Sequence, residues 1–164
     1  FSIHARKAWL KGLDPKQNRN IPPLEYERVA LLKQKRPDLT IELNGGLSTP
    51  SECLKALQTF DGAMVGRAAY KHPLRWQVMD KLIYGEKYNP QAASTIIRGI
   101  MSHTEKHLIQ NGRLWDVCRH LLQLVEEVPG ARLWRRNLTL KAQKRNADLT
   151  VLDEAIRQLE DVGL

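Results

Sequence analysis

Ile41-Glu42-Leu43-Asn44-Gly45-Gly46 and Gly62-Ala63-Met64-Val65-Gly66-Arg67 are the two stretches that decide the fold of this chain. Each is a short apolar run followed by glycine, and a segment with helical character separates the two. Strands that alternate with helices in this way are typical of a parallel sheet. The two turns would lie at one edge of that sheet, where backbone N–H groups can surround a phosphate and Arg67 adds a fixed positive charge. Either turn alone is more typical of an ordinary loop, whereas the ordered pair favours a phosphate site.

The first 67 residues continue this alternation on both sides of the glycine turns. Ser48-Thr49-Pro50-Ser51-Glu52 has the hydroxyl cap, early proline and early glutamate of a helix start. A long polar loop in a compact fold, such as the basic one before the first helix, is usually functional. The predicted elements are a strand end over 1–6, the basic loop over 7–23, a helix over 24–36, a strand over 39–43, a helix over 48–58 and a strand over 63–65.

From residue 68 onward the sequence contains no convincing strand pattern and is predicted to form a small helical bundle. Leucine and valine recur at helical spacing in its middle and form a broad apolar face. The stretch 85–89 is interpreted as a connection, so we predict an α/β region over 1–84 and an all-α region over 85–164. The predicted helices cover 72–83, 89–110, 113–127, 132–144 and 148–161.

The composition is that of a globular protein in water, with 42% hydrophobic and 27% charged residues. No apolar run approaches the length of a membrane span. Cys53 and Cys118 have neither metal-ligand nor disulfide spacing, which suits a reducing cytosol. A formal net charge of +8 makes an anionic partner the first hypothesis. Because the chain opens at Phe1 in what is interpreted as a strand end, we expect it to be part of a longer protein.

Two clusters of basic residues are candidates for contact with a polyanion. The loop over 7–23 contains Lys7, Lys11, Lys16 and Arg19, with Asp14 as its only acid. The segment 131–147 has no acidic residue, and its helical spacing places three arginines on one face, while Leu133 and Trp134 are predicted to pack. Such a run is either a solvated helix face or a phosphate-binding surface, and charge alone does not separate RNA from DNA or a membrane. The basic residues of this segment are Arg132, Arg135, Arg136, Lys141, Lys144 and Arg145.

The histidines support one ligand candidate. His4 follows a predicted strand, where it is either aimed at a ligand or purely structural. His103 and His107 are four residues apart, but Thr104 follows His103, so the zinc-protease pattern is absent. The remaining histidines form no ligand set, and no nucleophile triad is supported.

Five motifs, in order along nearly the whole chain, closely resemble the A subfamily of bacterial tRNA-dihydrouridine synthases. Together they are highly specific. They are His4-Ala5-Arg6-Lys7-Ala8-Trp9-Leu10-Lys11-Gly12-Leu13, Pro15-Lys16-Gln17-Asn18-Arg19-Asn20-Ile21-Pro22-Pro23-Leu24, Asn44-Gly45-Gly46, Asp61-Gly62-Ala63-Met64-Val65-Gly66-Arg67-Ala68-Ala69-Tyr70 and Gly130-Ala131-Arg132-Leu133-Trp134-Arg135-Arg136.

The resemblance implies a fold, a reaction and partners. The family's fold is an FMN-dependent (β/α)₈ TIM barrel followed by a helical tRNA-binding domain. Residues 1–84 would then supply the last three barrel strands, and 85–164 the helical domain. NADPH reduces the flavin, which in turn reduces the C5–C6 double bond of particular uridines in tRNA. The resemblance further implies a cytoplasmic enzyme that is monomeric when full length and has no membrane partner.

The same resemblance assigns roles by position in this sequence. His4 would contact the flavin, while Asn44, Gly45, Gly46, Gly66 and Arg67 would meet the FMN phosphate region. Lys16, Arg19, Arg132 and Arg135 match positions that contact tRNA. No catalytic residue and no metal ligand maps to this chain, because the family's proton-donating cysteine is expected upstream of residue 1. Neither Cys53 nor Cys118 matches that cysteine.

Three functions are compatible with these observations. The first is a flavin-dependent tRNA reductase represented by its C-terminal portion. That portion alone is expected to be inactive, because three barrel strands would leave a sheet edge and apolar faces uncovered. The second is a non-catalytic RNA-binding remnant that keeps the helical domain. The third is another phosphate-binding barrel enzyme. The coding sequence upstream of Phe1 separates the first two.

Overall fold

The computed structural model describes residues 1–164. Its N-terminal part contains a three-stranded parallel sheet. Its strands are β1 (Ser2–His4), β2 (Glu42–Asn44) and β3 (Gly62–Met64), in the spatial order β1-β2-β3. Both pairings are parallel. The predicted parallel sheet is therefore confirmed, although each strand has only three residues.

Short helices connect and follow the strands. Thr49 caps the helix before β3: its hydroxyl accepts a hydrogen bond from the Glu52 amide at 3.2 Å, and the Glu52 carboxylate accepts one from the Thr49 amide at 3.0 Å. This capping box confirms the predicted helix start. The helices of this region are α1 (Pro15–Asn18), α2 (Tyr26–Lys35), α3 (Pro50–Leu57), α4 (Arg67–Lys71) and α5 (Met79–Tyr84).

The sheet is fixed by a buried face and by an ion pair. Ile41 and Leu43 are fully buried on and beside β2. Lys33 of α2 places its Nζ 2.7 Å from Asp61 Oδ2, and the same carboxylate accepts a hydrogen bond from the Ile41 amide at 2.7 Å. The Ile41 amide and the Lys33 ammonium hold the pKa of Asp61 below its usual range. These contacts join α2 to the starts of β2 and β3.

The remainder of the chain is helical and has a core of its own. Trp134 is buried there, and its indole Nε1 donates to the carbonyl oxygen of Ala155 at 2.9 Å. Leu114, Leu138 and Ile156 are among the fully buried side chains of this core. The helices are α6 (Ala93–Gly99), α7 (Met101–Ile109), α8 (Leu114–Leu121), α9 (Ala131–Ala142) and α10 (Leu149–Glu160).

The chain divides into two compact units. The first unit comprises Phe1–Lys71 and Val78–Lys87, and the second comprises His72–Gln77 and Tyr88–Leu164. No helix combines the length and the apolar character needed to cross a bilayer.

Several predicted helix boundaries are corrected by the structure. The helix predicted over 89–110 is two helices, α6 and α7, separated at Ile100 directly after Gly99, whose low helix propensity weakens the helix there. The helix predicted over 113–127 ends at Leu121 and tightens into a 3₁₀ turn over Leu122–Leu124, as helix ends often do. The helix predicted over 72–83 likewise begins as a 3₁₀ helix before α5.

One packing prediction was also wrong. Leu133 was predicted to pack together with Trp134, but it is 61% exposed, because the buried face of α9 is formed by Ala131, Trp134, Leu138 and Ala142.

Candidate functional site

The carboxyl ends of the three strands bring the predicted ligand residues together. In the sheet register, His4 lies opposite Asn44, and Asn44 lies opposite Met64. Side chains alternate between the two faces along each strand, and residues opposite one another on neighbouring strands point to the same face. These three residues therefore share one face of the sheet. The amide of Ala5 donates to the Asn44 carbonyl at 2.8 Å, which fixes the chain as it leaves β1 beside the first glycine turn.

The turn after β2 requires both of its glycines. Gly45 and Gly46 have φ values of +113° and +75°, which disfavour any residue with a Cβ atom. A Cβ on Gly45 would lie 3.2 Å from His4 Cε1, and one on Gly46 would lie 2.5 Å from Leu24 Cδ1. Tyr26 supports the turn from α2, because its hydroxyl donates to the Gly45 carbonyl at 2.7 Å. The sequence pattern did not identify Leu24 and Tyr26 as parts of this site.

The turn after β3 differs from the first turn. A Cβ on Gly66 would meet no atom within 4 Å, so this glycine leaves open space beside the backbone. Gly45, Gly46 and Gly66 donate no backbone hydrogen bond to another group of the chain. A free backbone N–H is suited to an anion, and of these three glycines Gly66 is the one with open space beside it.

Arg67 is held from the basic loop. Its Nη1 donates to Asn20 Oδ1 at 2.6 Å, and its Nη2 lies 3.4 Å from the carbonyl oxygen of Arg19. Asn20 was not identified from the sequence, where no local pattern connects two positions 47 residues apart.

The pKa of His4 reflects the positive charges at this edge of the sheet. Burial, followed by the positive charges of Arg6, Arg19 and Arg67, lowers the pKa of His4 below 6.5. The imidazole is therefore neutral at neutral pH, and three guanidinium groups act on one half-buried side chain. An anion placed among these arginines would relieve their mutual repulsion.

The loop over 7–23 carries two predicted RNA contacts at its surface. Lys16 lies on α1, a short helix that the sequence analysis missed, and Arg19 directly follows that helix. Both side chains are exposed, and neither forms an ion pair within the chain. The loop is fastened at its end by Arg6, whose Nη1 donates to the Pro22 carbonyl.

Only some of the basic side chains of α9 lack a partner within the chain. Arg132 and Arg136 are exposed and make no ion pair, whereas Lys141 Nζ lies 2.6 Å from Glu154 Oε2. Arg135 is half-buried, and its Nη1 donates to the Val125 carbonyl at 3.2 Å. Arg135 thus ties α9 to the segment after the 3₁₀ turn.

The structure therefore groups the predicted residues into two sets. The second unit contains Arg132 and Arg135. The first unit contains all the others, which are His4, Lys16, Arg19, Asn44, Gly45, Gly46, Gly66 and Arg67.

The two cysteines are unsuited to chemistry at a surface site. Burial raises the pKa of Cys118 to about 12 and also raises the pKa of Cys53. Both thiols are free, and no group of three or more His, Cys, Asp or Glu side chains could hold a metal ion.

Comparison with known proteins shows which family this chain is similar to. The family model described as Dihydrouridine synthase (Dus) matches residues 1–160. Similar proteins named tRNA-dihydrouridine(20/20a) synthase occur in Escherichia coli (strain K12), with 44% identity over 161 residues, and in Salmonella typhimurium, with 43% over 161 residues. Another, from Vibrio cholerae, is 42% identical over 159 residues. These matches cover 97–98% of this chain and 47–49% of the relatives, so the chain spans about half the length of the curated relatives it matches.

Proposed function

The chain belongs to the dihydrouridine synthase family, and we propose that it forms the C-terminal part of an FMN-dependent tRNA-dihydrouridine synthase. In this proposal the first unit supplies the last three strands of a (β/α)₈ barrel, within residues 1–84. The helical domain over 85–164 binds tRNA. Each outer strand of the sheet, β1 and β3, has one strand neighbour here, which leaves an edge for further barrel strands.

The observation that carries the proposal is the positive, glycine-lined edge of the sheet. Free N–H groups of the two turns, open space at Gly66 and the guanidinium of Arg67 fit the phosphate group of FMN. The turn at Gly45 and Gly46 allows close approach of the backbone, and Asn44 offers an amide side chain from the end of β2.

The residues around this edge bind and orient the cofactor in the proposal. When bound, FMN reduced by NADPH would supply a hydride to one carbon of the uracil C5–C6 bond, and an acid outside these residues would supply the proton to the other. His4, kept neutral by burial and by the neighbouring arginines, can offer either a donor or an acceptor nitrogen to the flavin without adding charge. Arg67 holds the phosphate with the N–H groups that Asn20 and Arg19 leave free.

The exposed cations form the RNA-binding part of the proposal. Lys16 and Arg19 would contact backbone phosphates from the first unit, and Arg132 and Arg135 would do so from the second. Lys16, Arg19 and Arg132 lack a carboxylate partner in the chain, so RNA phosphates would not have to displace an existing ion pair. The proposal also includes a full-length enzyme that is cytoplasmic and monomeric, with tRNA as its partner.

Replacement of Arg67 tests the cofactor site. In the full-length synthase, Arg67→Ala removes one charge-assisted phosphate contact, which is worth about 1.5–3 kcal/mol. We therefore expect FMN affinity to fall by about ten- to a hundred-fold, measured as flavin retained after extensive dialysis. Arg28→Ala is the matched control, because Arg28 is an exposed arginine of the first unit whose partner is Glu25. Equal flavin retention by the wild type and Arg67→Ala would contradict the proposal.

A non-catalytic RNA-binding remnant is the second candidate. It is favoured by the separate core of the helical unit and by the burial of both thiols. Coding sequence upstream of Phe1 that contains further barrel strands and a cysteine would exclude it.

A further inference from the structure

Side-chain hydrogen bonds within the loop over 7–23 connect its N-terminal part to α1. Asn18 Oδ1 accepts from the Trp9 amide at 2.8 Å, and Asn18 Nδ2 donates back to the Trp9 carbonyl at 3.0 Å. Asp14 and Gln17 form a reciprocal capping box around α1. Lys16 lies on α1 and Arg19 directly follows it, so these contacts connect the proposed RNA contacts to the rest of the loop.

Arg67 joins this loop to the glycine turn after β3. Two of its guanidinium nitrogens face Asn20 Oδ1 and the Arg19 carbonyl, at 2.6 Å and 3.4 Å. A guanidinium has five N–H donors, so three remain for an anion. One side chain thus faces both the candidate phosphate site and the residue next to Arg19.

We propose that Asn20 is a positioning residue that couples the FMN phosphate site to the RNA-binding loop through Arg67. This inference rests on the proposed function, because it takes phosphate at Arg67 and RNA at Lys16 and Arg19 as its two ligands. Phosphate fixes the guanidinium, and the fixed guanidinium holds Asn20 and the Arg19 carbonyl in place. The loop then loses less conformational freedom when RNA binds. By thermodynamic linkage, RNA strengthens FMN binding by the same factor.

The test measures coupling rather than activity. In the full-length synthase, stripped of flavin and then reconstituted, the Kd for tRNA is measured by fluorescence anisotropy with and without FMN. The Kd for FMN is measured with and without tRNA. We expect FMN to tighten tRNA binding by about five- to ten-fold in the wild type, with the same factor in the reverse direction. Asn20→Ala should reduce both factors toward one, because the 2.6 Å contact to Asn20 is lost and only the longer contact from Arg67 to the Arg19 carbonyl, at 3.4 Å, remains.

Two variants separate positioning from a general structural effect. Asn20→Asp keeps an oxygen for Arg67 and should retain the coupling. Asn146→Ala, at an exposed asparagine of the second unit, should leave it unchanged. Should Asn20→Ala not fold, Asn20→Lys applies the same test, because it places a cation opposite Arg67.

The outcomes distinguish this inference from the function on which it rests. A wild-type protein that binds neither FMN nor tRNA would overturn both. A wild-type protein that binds both ligands independently would overturn only the coupling. Coupling that survives in the Asn20 variants would show that Asn20 is not the connection.

Discussion

Gly46 and Gly66 occupy equivalent turns after neighbouring strands, yet the structure constrains them differently. Gly46 has positive φ and lies against Leu24 and Tyr26, whereas Gly66 has neither constraint. The fold therefore requires a glycine at position 46 but not at position 66, where the proposed function gives the glycine a ligand-binding role. The sequence marked both as turns, because glycine after an apolar run is a local signal.

Alanine substitutions should separate these two roles. Gly46→Ala forces a Cβ into a left-handed conformation and against Leu24, so it should lower the free energy of unfolding by about 1–3 kcal/mol. Gly66→Ala should change it by less than about 0.5 kcal/mol, because nothing lies within reach of the new methyl group. Urea denaturation followed by circular dichroism measures both. A Gly66→Ala loss as large as that of Gly46→Ala would contradict the assignment.

His4 should report the arrival of an anion. Its folded pKa lies below 6.5, so the unfolded chain takes up the proton first and His4 reduces stability as the pH falls through 6.5. Inorganic phosphate among Arg6, Arg19 and Arg67 would offset their charges and raise the pKa of His4. Arg67→Ala should also raise it without phosphate. Titration of the imidazole signals by NMR, with chloride at equal ionic strength as control, checks both shifts. A His4 pKa insensitive to phosphate would place the anion elsewhere.

At the scale of elements, the helix caps could be predicted from the sequence, whereas the breaks within helices could not. The cap of α3 at Thr49 and the cap of α10 at Asp148 follow from residue types at fixed spacing, and both are present. The break at Ile100 was missed because apolar residues continue at helical spacing on both sides of Gly99. The bond from Arg135 to Val125 was missed because it depends on how the turn before α9 folds back.

On the basic face of α9, we expect Arg135 to stabilise the fold and Arg132 to be free to bind RNA. Arg135→Ala loses the bond to the Val125 carbonyl and should lower the free energy of unfolding by about 1 kcal/mol. Arg132→Ala, at an exposed residue, should change it by less than about 0.5 kcal/mol. Arg132→Ala should instead reduce the slope of log affinity for tRNA against log salt by about 0.7–0.9, the contribution of one phosphate contact. Chemical denaturation and a salt titration of tRNA binding measure these effects. An unchanged salt slope in Arg132→Ala would mean that this part of the face is only solvated.

At the scale of the whole molecule, the order of elements was predictable, but the contacts that build the site were not. An alternating pattern followed by helices predicts a parallel sheet and a helical region, and the family resemblance extends this to residue roles. The bond between Asn20 and Arg67 joins residues far apart in the chain, and only the folded backbone brings them together. The contribution of Arg6 to the charge around His4 has the same origin.

The chain on its own should not form dihydrouridine. Saturating a uracil requires a hydride on one ring carbon and a proton on the next, and the proton needs a positioned acid. The two thiols cannot serve, because Cys53 and Cys118 are 1% and 0% exposed and burial raises the pKa of each. Consistent with that burial, a thiol reagent should modify neither cysteine in the folded chain and both after denaturation.

The assay supplies FMN, NADPH and unmodified tRNA and scores dihydrouridine by mass spectrometry, first at the positions 20 and 20a that appear in the names of the relatives. The full-length synthase is the positive control, and it should turn over many times under conditions in which the 164-residue chain gives no product. If the chain alone turned over repeatedly, the acid would have to lie among residues 1–164. The neutral His4 beside the glycine turn would be the first to replace.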